Sequence, residues 1–164
     1  MFKTAYFVAM GLILFLGPQI VLYTTNKKVI FDRTFVYLLL AFILPASFMF
    51  LPDSIAHLRY INFIQHSVGG GLAVGLVSIF LIENLKSEFG ILENFLAQML
   101  FVYFLVCGLG VANEIFEFTL DLLKVGIFSA DRYDTWYDLV ANTTGALGIF
   151  LIYKFGELIR KFIS

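Results

Sequence analysis

The chain reads as an all-α membrane protein, a polytopic bundle of about five spanning helices. Three observations predict this class. The first is composition: of 164 residues, 60% are hydrophobic and 14% charged, against about 45–50% and about 25% in a soluble globular domain. The second is a mean hydropathy of +0.91. The third is the arrangement of apolar residues in runs near the ~20 needed to cross a bilayer. One membrane domain over residues 1–164 accounts for the whole length, with no room for a separate soluble domain. A net charge of −1 gives no basic face for nucleic acid. Cys107 is the only cysteine, so no intrachain disulfide is expected.

The first run spans residues 5–24, with Pro18 expected to kink it. Gly17-Pro18-Gln19 after its apolar core is not a small-residue cleavage site, so this run reads as a retained helix. The second, residues 34–51, is the shortest and carries Pro45 near its end. The third covers residues 61–82 and contains Gly71-Leu72-Ala73-Val74-Gly75, a GxxxG that lets backbones approach closely. The fourth, residues 91–118, is long enough to tilt or protrude. The fifth covers residues 136–159, behind a longer polar link. The last three, rich in glycine, are expected to form the tight core with the first two outside.

Basic residues set the orientation. Lys27, Lys28, Arg33, Lys86, Lys154, Arg160 and Lys161 fall on one side, and Lys3, Arg59, Lys124 and Arg132 on the other, seven against four. This favours the amino terminus outside and the carboxyl terminus in the cytoplasm, with the plasma membrane the expected location.

Polar residues inside the runs point to function, because ionisable groups are costly in a bilayer and are kept mainly for a reason. Five spans put the start of the third, the end of the fourth and the start of the fifth on one side, the outer leaflet in this orientation. Three stripes meet there. Asn62, His66 and Gly70 follow i, i+4, i+8. Glu114, Glu117 and Asp121 follow i, i+3, i+7. Asp138, Asn142 and Gly145 share a third face, with Asp134 just before them. The expected polar pocket therefore comprises His66, Glu114, Glu117, Asp121, Asp134, Asp138 and Asn142.

Each of these has a plainer reading. His66 serves as an interhelical hydrogen-bond partner as readily as a proton carrier or metal ligand. Glu114 and Glu117 repel one another on one face. They need a cation, a shared proton, or Arg132 or Lys124 folding back. Glu117 also suits the headgroup region, and Asp138 suits a helix first turn. Asn142 and the glycines fit interhelical packing. Tyr133, Trp136 and Tyr137 fit an interfacial aromatic belt, and Cys107 fits an inert core position.

Asp138-x3-Asn142-x2-Gly145-x2-Gly148 resembles the final-helix signature of VanZ-like membrane proteins. Glu114-Ile115-Phe116-Glu117-Phe118 with Asp121, then Asp134-Thr135-x2-Asp138-Leu139, is similar to the YjdF-type relatives. His66-x2-Gly69 matches the histidine-then-glycine opening of an internal helix in both. The resemblance covers roughly residues 62–150 and implies a cell-envelope role without an agreed chemistry. VanZ itself is linked to low-level teicoplanin resistance. The chain has Glu-x2-Glu where VanZ-like proteins more often have Glu-x2-Gln, which favours the YjdF-type branch.

Three functions are compatible with this reading. The first is binding of an envelope lipid, a glycopeptide-related ligand or a partner through the outer-leaflet pocket. The second is a metal-dependent enzyme acting on a lipid or polyprenyl-linked substrate. In it Glu114, Glu117 and Asp138 bind a divalent cation, and His66 is a fourth ligand or, with Glu117, a catalytic candidate. No complete lipid-phosphatase or phosphotransferase motif is present. The third is a small proton-coupled transporter, for which five spans are few and which would require oligomers. The first is favoured slightly over the second.

Overall fold

A computed structural model describes residues 2–25, 34–52, 55, 58–124 and 133–163. Five helices run antiparallel in sequence. They are α1 (Phe2–Thr24), α2 (Phe35–Ser47), α3 (Arg59–Leu85), α4 (Phe95–Leu122) and α5 (Asp134–Ile163). A single 3-10 turn, Phe48–Phe50, extends α2. By length and apolarity α1, α3, α4 and α5 can each cross a membrane, and Phe35–Phe50 is a shorter apolar helix.

Local sequence explains the boundaries. Asn94 caps α4, its side-chain oxygen accepting from the amides of Leu96 (2.8 Å) and Ala97 (3.3 Å). The expected start at residue 91 is instead a 3-10 turn, Gly90–Glu93. α4 ends at Lys124, whose φ of 57° is left-handed, with its amide bonded to the Asp121 carbonyl (3.0 Å). α1 runs unbroken through Pro18. Pro18 has no N–H to give the Leu14 carbonyl, and the Gln19 side chain donates to the neighbouring Phe15 carbonyl (3.0 Å). α5 begins with Asp134 and ends with Arg160 and Lys161, the arrangement a helix dipole favours.

α3 is the central helix. Its membrane window is 72% buried, against 22% for each of α1, α4 and α5. Every residue from Ala73 to Ile82 is buried, as expected of a helix apolar all round. The others surround it. Leu22 of α1, Leu38 of α2, Val102 of α4 and Phe150 of α5 are all fully enclosed. The first two helices are thus part of the core, not an outer layer on a three-helix unit. The remaining faces of α1, α4 and α5 expose Ile13, Phe104 and Ile152, as a lipid-facing girdle requires.

Inside α3, residues Gln65–Leu72 form a π-helix. Such wider turns are rare and concentrate at functional sites. Here the widened turns carry His66 and three consecutive glycines; α5 closes tightly onto Gly70 and Gly71, while Gly69 faces Phe48 of α2. A β-carbon on Gly71 would overlap the Asn142 carbonyl, and one on Gly145 would overlap the Ser67 carbonyl. One on Gly75 would stand 2.9 Å from the Ala146 carbonyl. The GxxxG of α3 is therefore the contact surface for α5. A β-carbon on Gly148 or Gly108 would meet nothing within 4 Å.

Candidate functional site

The close approach of α3 and α5 determines which polar groups meet. Asp138 is one turn into α5, with its side chain 3% exposed. A buried carboxylate needs partners, and α3 supplies two. The Asn62 amide donates to Asp138 Oδ1 at 2.9 Å and to Asp134 Oδ1 at 3.3 Å. His66 Nε2 stands 3.4 Å from Asp138 Oδ2. One turn further along, Asn142 lies between Gly70 of α3 and Gly110 of α4. Those two glycines make the space that its amide fills.

α4 contributes Glu114. One ligand atom each from His66, Glu114 and Asp138 lie within 4.8 Å of one another. The three groups sit about 6–12 Å inside the ends of their helices, counted at ~1.5 Å per residue from Arg59, Leu122 and Asp134. The Arg59 guanidinium lies over the Tyr137 ring, 5.5 Å from its centroid, at the polar end of the same interface.

Glu117 and Glu114 part company. Glu117 Oε1 accepts from Tyr6 Oη at 2.7 Å and from Asn113 Nδ2 at 2.9 Å. Glu117 therefore faces α1 and is outside the three-residue cluster, although the sequence places it among the ligands and catalytic candidates. Tyr6 also reaches Asn113 Oδ1 at 2.7 Å. Its one proton serves a single acceptor at a time. Asp121 lies one turn beyond Glu117, half-buried at the end of α4. Lys124 is exposed past that end. Arg132, the other cation suggested for the glutamates, lies outside the described residues. So do Lys27, Lys28 and Arg33 of the orientation count.

The chemistry of the cluster is dominated by acceptors. Glu114 Oε1 and Asn142 Oδ1 are buried with no hydrogen-bond partner among the described residues. Unsatisfied buried acceptors of this kind cost about 1–3 kcal/mol each. Asp138 and Asp134 add further acceptor oxygens. A bare phosphate would meet acceptor oxygens here, whereas a cation or a group rich in N–H or O–H would be complementary.

Sequence reasoning missed Tyr6 and Asn113. Tyr6 sits where any interfacial tyrosine would. Asn113, four residues before Glu117, was the available signal, since an amide at i−4 can support a carboxylate. Comparison of the chain with protein-family profiles, curated proteins and solved structures finds no match.

Proposed function

We propose that this chain is a VanZ-like protein of the cell envelope, resident in the plasma membrane. It binds the donor-bearing headgroup of an envelope lipid, or a donor-bearing partner, in a pocket of the outer leaflet. One observation carries the reading: the unpartnered acceptors Glu114 Oε1 and Asn142 Oδ1, buried beside Asp138 among apolar helices. Sugar hydroxyls or an ammonium group would satisfy them, and a glycopeptide-related ligand offers both. The resemblance of residues 62–150 to VanZ-like proteins supports the envelope setting.

A second reading is favoured by the His66–Glu114–Asp138 cluster. The 3.4 Å between His66 Nε2 and Asp138 Oδ2 is long for a direct hydrogen bond. It is close to the ~3.3 Å separating two ligands on a tetrahedral ion with bonds of ~2.0–2.1 Å. The nitrogen favours Zn²⁺, and the carboxylates admit Mn²⁺ or Mg²⁺. Bound there, a divalent cation would polarise a lipid phosphate, which is the basis of the enzyme alternative.

Thermal unfolding of detergent-purified protein separates the two, since a specific ligand stabilises the folded state by mass action. Chelator is compared with Zn²⁺, Mn²⁺, Mg²⁺ and Ca²⁺, for the parent and for Glu114→Gln. Stabilisation by one metal that Glu114→Gln abolishes supports the cation site. No metal response, with stabilisation by a glycolipid or glycopeptide lost in Glu114→Gln, supports direct headgroup binding. Indifference to every ligand in the parent overturns both.

A further inference from the structure

At the opposite end of the bundle, α4 and α5 flank an open groove of about 670 Å³. Phe95, Leu151, Phe155 and Leu158 form its apolar walls. Four charges line it in two opposed pairs of sign: Lys154 and Lys161, Glu93 and Glu157.

The charges are not equivalent. Lys154 is fixed by Glu157 at 2.6 Å and lies over the Phe150 and Tyr153 rings. An ammonium has three donors, so this anchored lysine can serve a second acceptor. Lys161 and Glu93 are exposed and make no ion pair among the described residues. They stand at the start of α4 and the end of α5, on either side of one groove. Gln98 also lines it. This side chain is 4% exposed, donates to the Leu92 carbonyl at 2.5 Å, and leaves Oε1 without a hydrogen-bond donor among the described residues.

A single-sign ligand fits this lining poorly. An anionic headgroup would face two carboxylates, and a simple cation two lysines. A zwitterion with a phosphate and a nearby N–H-bearing ammonium is complementary, with its acyl chains along the phenylalanine wall.

We propose that the groove between the start of α4 and the end of α5 is a binding site for a phosphatidylethanolamine-type lipid. Lys161 and Lys154 take the phosphate. Glu93 takes the primary ammonium, with Gln98 Oε1 a further acceptor in the lining. The choice of a primary ammonium over choline follows from the acceptors, since a quaternary ammonium has no N–H to give. This site is independent of the outer-leaflet pocket.

The test is native mass spectrometry of the full chain in detergent. The lipids are phosphatidylethanolamine, phosphatidylcholine and phosphatidylglycerol with matched acyl chains. Phosphatidylethanolamine is expected to bind about tenfold more tightly than the other two, the value of one charge-assisted hydrogen bond. Glu93→Gln is expected to remove its advantage over phosphatidylcholine. Lys161→Gln is expected to weaken both zwitterionic lipids. Both positions are exposed, so both variants are expected to fold as the parent does. Equal binding of all three lipids by the parent overturns the proposal. Preference for phosphatidylglycerol does so too, by indicating an anionic-lipid site, as does a preference that survives Glu93→Gln.

Discussion

Tyr6 and Glu117 are 111 residues apart in sequence and joined by a 2.7 Å hydrogen bond. The bond ties the first helix to the end of the fourth, and the Tyr6 and Phe116 rings stack beside it at 6.3 Å. Removing the hydroxyl leaves a largely enclosed carboxylate with one donor fewer. Tyr6→Phe is expected to destabilise the protein by about 1–3 kcal/mol, measured by thermal or denaturant unfolding in detergent. Asn113→Ala acts on the same carboxylate, so the double variant should be less than additive. Full additivity would mean that the two donors do not share Glu117.

A second cycle addresses the pocket itself. Asn62→Ala and Asp138→Ala are predicted to couple by at least ~0.5 kcal/mol, as contacting residues do. Asp138→Ala with Glu117→Ala should couple less, because Glu117 faces α1. A larger coupling in the second pair would put Glu117 back among the pocket residues.

The glycines divide into those that need to be glycine and those that do not. Gly71→Ala and Gly145→Ala each place a methyl group against a backbone carbonyl of the facing helix. Each is expected to lose at least ~1–3 kcal/mol, the cost of overpacking, with further loss if α3 and α5 separate. Gly148→Ala meets open space. It should be neutral or stabilising by up to ~1 kcal/mol through helix propensity. Equal effects at Gly145 and Gly148 would argue against this helix pairing.

Orientation has a direct assay. In a Cys107→Ser background, a cysteine at Lys124 should react with an impermeant maleimide on intact cells, and one at Lys86 only after lysis. The reverse pattern would move the acceptor pocket to the cytoplasmic leaflet and remove the envelope reading.

Most of the helices were legible from composition alone, because a lipid-facing surface must be apolar wherever it lies. The i, i+4, i+8 stripe of Asn62, His66 and Gly70 was legible as one face able to turn inward, and in the fold each of the three touches Asp138 or Asn142 of α5. Spacing could not divide Glu114 from Glu117. Residues three apart lie on nearly the same face, and only the position of α1 decides which one it takes. The π-helix was hidden for a related reason. Its wider turns carry no signature of their own along the chain, and the contacts they make, Gly69 with Phe48 of α2 and Gly70 and Gly71 with Asn142 of α5, exist only in the folded bundle.

The shortness of α2 has a consequence for the surrounding lipid. Phe35–Phe50 spans only ~25 Å, while α4 and α5 span ~42 and ~45 Å. Asn84 Nδ2 donates to Thr34 Oγ1 (3.3 Å), which levels the start of α2 with the end of α3. The whole deficit therefore falls on the other side, where the Phe48 ring meets Gly69, deeper than His66. Local thinning of the bilayer is one way so short a face is accommodated. On the proposed function, thinning on that flank would bring lipid headgroups toward the depth of His66 and Asp138. A headgroup ligand would then arrive from the side, with no need for an opening at the top of the bundle.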